Sequence, residues 1–183
     1  MLQVLKSLIE ERIAVSDNPR RALRKSSSAF SVFFKLFIDS LFSARLFLTA
    51  ALHKPVMQLL MEDEWFYDVD AQRALHRFPP AERLRRFGKP DSDEYAKKTE
   101  VYRQRTAKKL MAIASRFVES LKNNMYCFPH SLSWIVAQLF SVMTSRGSVP
   151  PAEARAVCAD LVLALFICPA ICEPEPLGWL LKF

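Results

Sequence analysis

The chain has 183 residues, of which 51% are apolar, and it contains 14 Phe but only 3 Gly. This composition excludes a disordered chain and favours one helical domain over a β fold rich in glycine turns. The net charge is +7, and residues 1–60 hold nine Lys or Arg against four Asp or Glu. This excess of positive charge near the N-terminus favours an acidic partner, which composition leaves open as a nucleic acid, an anionic membrane or an acidic protein surface.

The first predicted helices are amphipathic. Apolar residues from Leu2 to Ile13 recur at three- and four-residue spacing, which predicts the first helix. The following SDNP sequence ends it, because Asp17 or Asn18 can cap a new helix and Pro19 suits its first position. A second helix is therefore expected to begin at Pro19.

A strongly apolar segment follows the Ser26–Ser28 triplet and is expected to form one long helix that ends near Pro55. Its stretch Ala29–Leu52 resembles a membrane span, but Lys35, Asp39 and Arg45 lie within it. Each charge near a bilayer centre costs about 2.5–3.5 kcal/mol, whereas each large apolar residue contributes only about 0.3–0.6 kcal/mol. We therefore predict a buried helix of a soluble protein.

The remaining chain is also predicted to be helical. Residues 63–93 contain several prolines and mixed charges and favour short helices joined by loops. Longer helices are expected from about Ser92 to Asn124 and from about Phe128 to Ser145, and an apolar helix from Pro151 is expected to stop at Pro169. The C-terminal sequence EPEPLGWLLKF favours one further element.

The sequence lacks the motifs of self-contained catalysis. It has no GxSxG, no HExxH and no glycine-rich phosphate loop, and none of its three histidines has an evident nucleophile beside it. It also lacks a zinc finger, a helix-turn-helix and an aromatic RNA-binding signature, and its central cations alternate with acids. We therefore predict neither an independent active site nor nucleic-acid binding.

The cysteines are the other residues with potential chemistry. Cys127 and His130 together with Cys168 and Cys172 allow a mixed zinc site to be drawn, but Pro169 separates the paired cysteines. Reduced, buried thiols are the better interpretation, and no metal site is predicted.

Three segments together resemble a known family. The sequence LRKSSSA, at residues 23–29, is similar to the finger loop that opens a Ras GTPase-activating (Ras-GAP) domain. The sequences CFPHSLSWIVAQLF and LVLALFICPAICEPEPLG are similar to the central helices of that fold. Further runs, including SDNPRRALR and NNMYCFPHSLSWIV, resemble the endocytic branch that joins an N-terminal Ras-GAP domain to a C-terminal Rab exchange domain.

The resemblance implies an all-α, Ras-GAP-like helical domain. Residues 1–183 would form its N-terminal and central part, truncated at the C-terminus, with the Rab exchange domain absent. The implied partner is a Ras-like small GTPase, and an endosomal Rab would be reached only through a longer parent protein. No cofactor of its own is implied, since such a domain acts on the GTP and Mg²⁺ that the GTPase binds. The implied location is cytoplasmic, peripheral at endosomes or the plasma membrane.

The resemblance also assigns site residues. Arg24 matches the arginine finger, which would stabilise charge on the phosphates of GTP. The residues expected to contact or steer the GTPase surround it in the sequence: Arg20, Arg21, Lys25, Ser26 and Ser27.

One position departs from the family pattern. Active members carry Phe-Leu-Arg before Cys-Pro-Ala, and that second arginine holds carbonyl groups of the finger loop, whereas this chain has Leu163, Ala164 and Leu165. Because Leu165 donates no hydrogen bond, a less ordered finger loop is expected. Two functions therefore remain open: a catalytic Ras-GAP segment, and a pseudo-GAP module that binds a GTPase or an endocytic partner without catalysis.

Overall fold

The computed structural model describes residues 1–62, 67–145 and 149–178, and every regular element within those ranges is helical, which confirms the predicted all-α class. The α-helices in chain order are α1 (Leu2–Leu8), α2 (Pro19–Arg24), α3 (Ala29–Ser40), α4 (Phe42–Leu60), α5 (Ala71–His76), α6 (Pro80–Phe87), α7 (Asp93–Asn123), α8 (His130–Ser145), α9 (Pro151–Val162) and α10 (Cys168–Cys172). Two π-helical turns, Ile9–Ile13 and Leu163–Ile167, follow α1 and α9 directly.

These helices belong to two compact units, and the first comprises residues 1–54 together with those from 121 onward. Within it, α8 packs against α1 and α9, and α9 packs against α2. The apolar residues that predicted the helices by their spacing form its core, because each lies on the inward face of its helix. Its fully buried side chains include Leu5, Ile9, Ile13, Phe30, Phe34, Leu132, Ile135, Leu139, Met143, Val157 and Leu161.

Three aromatic rings lie together in this core. The ring centroid of Phe47 lies 5.1 Å from that of Phe128, edge to face, and 5.9 Å from that of Phe166, stacked. Phe128 and Phe166 are 6.2 Å apart, again edge to face. These are favourable aromatic geometries, and they connect α4 with the segments before α8 and α10.

The second unit, residues 55–120, has its own aromatic cluster. Phe87, at the end of α6, is buried and lies 6.0 Å from Phe78 and 5.6 Å from Tyr102 of α7. The predicted short helices between residues 63 and 93 are confirmed as α5 and α6, and the predicted long helix is α7.

A polar cluster in the second unit surrounds Glu62. Its carboxylate pairs with Arg116 and, at 3.1 Å, with Lys109, and it accepts a hydrogen bond from the Tyr67 hydroxyl at 3.0 Å. The Arg116 hydrogen bond is the main reason that the pKa of Glu62 falls to about 2.

The apolar segment after Ser28 does not form the single helix that we predicted. It breaks at Leu41, whose backbone is extended (φ −92°, ψ 107°), after the Ser40 hydroxyl donates to the Phe37 carbonyl at 2.7 Å. The prediction that Pro55 ends the helix is also wrong, because α4 continues through it to Leu60. Leu52 and Val56 are both buried, and such burial offsets the cost of a proline inside a helix.

The prediction that Pro169 stops the apolar helix is wrong as well. In the π-helical turn before it, the Cys168 amide donates to the carbonyl of Leu163, five residues back. Helix α10 then starts at Cys168, so Pro169 occupies the first turn, where an amide hydrogen is not needed. The chain thus stays helical from Pro151 to Cys172.

This continuous stretch is the one helix among the described residues that is long and apolar enough to cross a membrane by length and composition. Three of its side chains, Val157, Leu161 and Phe166, are buried in the first unit. The last described element is the 3₁₀ turn Glu175–Leu177. The C-terminal apolar residues of the predicted final element, from 179 to 183, lie outside the described residues.

Candidate functional site

The helix that carries the predicted finger is short and locally encoded. Asn18 caps α2, because its side-chain oxygen accepts a hydrogen bond from the Arg21 amide at 2.9 Å, and Pro19 occupies the first helical position. This confirms the predicted start. Arg24 is the last residue of α2, and Lys25 leaves the helix in an extended conformation.

Arg20 and Arg24 are four residues apart and therefore lie on one face of α2. Both guanidinium groups bind Asp160 of α9. Arg20 makes two bonds, from Nε to Oδ2 at 2.7 Å and from Nη2 to Oδ1 at 3.2 Å, while Arg24 donates from Nη2 to Oδ1. One carboxylate thus holds two arginines.

Burial makes this cluster asymmetric. Asp160 is only 6% exposed, whereas the side chains of Arg20 and Arg24 are 43% and 52% exposed. The Arg20 hydrogen bond holds the pKa of Asp160 below its ordinary value, with help from Arg24 and against the opposing effect of burial. The same bond raises the pKa of Arg20. Asp160 is therefore a buried anion that depends on these cations.

The segment after Arg24 is a tight turn. The Ser28 amide donates to the Lys25 carbonyl at 3.0 Å, and the Ser28 side-chain oxygen caps α3 by accepting from the Ser31 amide at 3.1 Å. Lys25, Ser26 and Ser27 are exposed. The Ser31 hydroxyl, from α3, contacts the carbonyl groups of Leu23 and Lys25, on either side of Arg24.

The structure places most of the predicted site residues on α2 and in the turn that follows it. Arg24, Lys25, Ser26 and Ser27 lie consecutively at the helix end and turn, and Arg21 is exposed on α2. Leu165 lies half-buried in the π-helical turn of the first unit, and its side chain is apolar.

Sequence reasoning missed two residues of this site. Asp160 had a visible signal, because it is the one acid in an otherwise apolar run and such an acid needs a partner when buried. Ser31 had no such signal in the sequence. Its hydrogen bonds to the carbonyl groups six and eight residues earlier depend on the geometry of the turn.

A cavity of about 780 Å³ lies beside α2 in the first unit. It is lined by residues 14–20 together with Val149, Pro150 and Glu153, and therefore includes Arg20 but not Arg24. Arg24 instead presents its guanidinium at the surface, where another protein can approach it.

The cysteines differ from the expectation of buried thiols. Cys158 is buried and Cys127 half-buried, but Cys168 and Cys172 are exposed. Among the described residues, no group of three or more His, Cys, Asp or Glu side chains is placed to hold a metal ion.

Comparison with known proteins identifies the fold family. The family model described as GTPase-activator protein for Ras-like GTPase matches residues 4–182. The chain is 48% identical over 178 residues to the GTPase-activating protein and VPS9 domain-containing protein 1 of Bos taurus, covering 97% of the chain and 13% of that relative. No solved structure matches the chain significantly.

Two more distant relatives are also similar to nearly the whole chain. The Receptor-mediated endocytosis protein 6 homolog of Drosophila pseudoobscura pseudoobscura is 37% identical over 182 residues, covering 97% of the chain and 10% of the relative. Receptor-mediated endocytosis protein 6 of Caenorhabditis elegans is 28% identical over 178 residues, covering 96% and 15%. The chain therefore spans only a small part of the length of these relatives, and along nearly its whole length it belongs to the Ras GTPase-activating protein family.

Proposed function

We propose that this chain accelerates hydrolysis of GTP bound to a Ras-like small GTPase and that Arg24 is its arginine finger. The observation that carries the proposal is the placement of Arg24. It ends a capped helix, precedes an exposed turn, and has a side chain that is 52% exposed. Membership of the Ras-GAP family supplies the class of partner.

The chemistry of the step explains why an arginine is needed. During hydrolysis, negative charge builds on the γ-phosphate and on the oxygen that bridges it to the β-phosphate. A guanidinium supplied by another protein stabilises that charge, and it raises the rate by about 10³–10⁵, or roughly 4–7 kcal/mol. Its planar fork can meet two phosphate oxygens at once, which a lysine ammonium cannot. The chain needs no cofactor of its own for this role, because the GTPase holds the GTP and Mg²⁺.

Arg24 can leave Asp160 without exposing a bare buried charge. Asp160 keeps two hydrogen bonds from Arg20 when Arg24 moves away. Arg24 makes one hydrogen bond to Asp160, and its side chain is half exposed. Water and phosphate oxygens therefore compete readily for the Arg24 guanidinium. Arg20 is the lasting partner of Asp160, and Arg24 is the one that the GTPase recruits.

The other basic residues contribute to association. Arg21 and Lys25 are exposed beside Arg24, and Arg20 remains 43% exposed within its ion pair. These charges steer an acidic GTPase surface toward the turn, where Ser26 and Ser27 contact it. Because such steering acts through long-range electrostatics, it raises the association rate and weakens as salt increases.

A single-turnover hydrolysis assay on a panel of GTP-loaded Ras-like GTPases tests the proposal. Arg24→Ala should remove nearly all acceleration, and Arg24→Lys should restore little of it because the fork is lost. Arg12→Ala is the matched control, since Arg12 is an exposed arginine of the same unit and the charge change is identical. If Arg24→Ala accelerates hydrolysis as well as the unmodified chain, Arg24 is not the finger.

A pseudo-GAP module is the second candidate, and the Arg24–Asp160 ion pair favours it. If the unmodified chain binds a GTP-loaded GTPase but leaves its hydrolysis rate unchanged, this second function is correct and the first is wrong. Binding is measured in a pull-down assay with the same panel of GTPases, each in its GTP-loaded and its GDP-loaded form.

We further propose that the protein containing this segment works in endocytosis. The names of its relatives include a VPS9 domain and receptor-mediated endocytosis. By analogy, a longer protein would combine GTPase activation with Rab exchange, in the cytoplasm and peripherally at endosomes or the plasma membrane. Co-localisation of the full-length protein with endosomal markers, lost on deletion of its exchange region, tests this proposal.

A further inference from the structure

The backbone around Arg24 is held by hydroxyl groups. Arg24 is the last residue of α2 and directly precedes the Lys25–Ser28 turn, where carbonyl groups no longer have helical partners. The Ser31 hydroxyl oxygen lies 2.9 Å from the Lys25 carbonyl oxygen and 3.2 Å from that of Leu23. Both carbonyls that flank Arg24 are thus within reach of one side chain.

Ser28 completes this arrangement. Its hydroxyl oxygen lies 3.0 Å from that of Ser31 and also accepts from the Ser31 amide. A hydroxyl has one proton and two lone pairs. Ser28 therefore donates its proton to Ser31, which leaves the Ser31 proton to be shared between the two carbonyls, with the Lys25 carbonyl the nearer.

We propose that Ser31 is a positioning residue for Arg24, whose hydroxyl fixes the backbone on both sides of the finger before a GTPase binds. This inference rests on the proposed function. Ser31 does not touch the nucleotide; it removes conformational freedom that the chain would otherwise lose in the transition state. It supplies the loop with a donor that Leu165 lacks.

The alternative role for Ser31 is purely structural, as a partner of the α3 cap. The two roles differ in what they change. A cap contributes to stability alone, whereas a positioning group changes the maximal rate at saturating chain with little effect on the concentration that gives half of that rate. The chain also offers a matched control, because Ser40 of the same helix donates to a carbonyl, that of Phe37, at the opposite end of α3.

The experiment compares the unmodified chain with Ser31→Ala, Ser31→Thr, Ser40→Ala and Arg24→Ala. The probe is the GTP-loaded panel member that responds most strongly to the unmodified chain. Ser31→Ala should lower the maximal rate roughly 3- to 10-fold, the effect of losing one hydrogen bond, and shift the half-saturating concentration by less than about twofold. Ser31→Thr retains the hydroxyl and should recover most of the rate, while Ser40→Ala should leave it unchanged.

Hydrogen exchange of the free chain gives a second readout that does not depend on activity. In Ser31→Ala the amide of Ser28, which donates to Lys25, should exchange several-fold faster, while amides in the middle of α8 should not change. The inference is overturned if Ser31→Ala keeps the full maximal rate while Arg24→Ala loses it, and the proposed function then stands. No acceleration by the unmodified chain overturns the proposed function and the inference together.

Discussion

The ion cluster of Arg20, Arg24 and Asp160 makes a quantitative prediction about stability. The perturbation is the double variant Arg20→Ala/Arg24→Ala, compared with Asp160→Asn alone. Asp160 is 6% exposed, so a carboxylate without its arginines stays buried and uncompensated, which costs about 3–5 kcal/mol. By contrast, Asp160→Asn leaves two half-exposed arginines that water can solvate, so it should cost only about 1–2 kcal/mol.

Adding Asp160→Asn to the double variant removes the cause of the loss. The triple variant should therefore be more stable than the double variant, by about 2 kcal/mol, although it carries one more substitution. A third substitution that restores stability is the signature of an unpaired buried charge, because losses from missing packing contacts would add up instead.

The contribution of Asp160 to stability should depend on pH with opposite signs in the unmodified chain and in the double variant. In the unmodified chain the arginines lower the pKa of Asp160, so their stabilisation is present above its unfolded pKa of about 3.9 and is lost as the pH falls below that value. In the double variant burial alone acts and raises the pKa of Asp160. The unfolding free energy that the double variant has lost relative to the unmodified chain should therefore be smaller at pH 5 than at pH 8.

Urea unfolding followed by circular dichroism at pH 8 and pH 5 measures these differences. A loss of about 3–5 kcal/mol also corresponds to a fall in Tm of roughly 6–20 °C for a chain of this size. The reasoning is refuted if the double variant loses no more stability at pH 8 than Asp160→Asn, because Asp160 would then be hydrated once its partners are gone.

Three further predictions concern single side chains. Burial raises the pKa of the Cys158 thiol to about 11. At pH 8 a maleimide should therefore react with Cys158 at least roughly ten times more slowly than with the exposed Cys168, as measured by peptide mass spectrometry. Equal labelling rates would contradict the burial of Cys158. Asn18→Ala removes the cap of α2 and should lower the unfolding free energy by about 1 kcal/mol in urea titrations, while Asn18→Asp retains the acceptor and should lose less than half of that. Phe47→Ala opens a cavity in the aromatic core and should cost about 3–5 kcal/mol, against about 1 kcal/mol for Phe47→Leu, and equal costs would count against the stacked geometry.

The sequence predicted helices best where local side chains determine them. The start of α2 at Asn18–Pro19 is encoded by a cap and a proline within two residues, and it was placed correctly. The ends of helices were predicted less well, because burial overrides local preference there. Pro55 and Pro169 are both helix breakers by their covalent structure, yet helix continues past each of them. A π-helical turn and tertiary packing accommodate them, and neither is visible in a local pattern.

The site was predictable only in part for the same reason. Resemblance to the family points to Arg24, but nothing in the sequence near Arg24 indicates that Asp160, 136 residues later, binds it. Asp160, an acid within the apolar part of α9, signals that a partner exists, without saying which cation provides it. Ser31 lies in an apolar helix and would pass as an ordinary interior serine.

The charge balance of the cluster links its stability to the proposed activity. Two arginines share one carboxylate, so the cluster has a net charge of one positive unit while Asp160 is ionised. Arg20, with its two bonds, satisfies Asp160 and keeps α2 attached to α9, and the surplus charge therefore resides on Arg24. An anion that approaches Arg24 competes only for its one hydrogen bond to Asp160, so α2 need not loosen when Arg24 binds such an anion. Arg20→Ala should then reduce acceleration more than its modest effect on folding would imply, because Arg24 becomes the sole counterion of a buried carboxylate and is held back from the nucleotide.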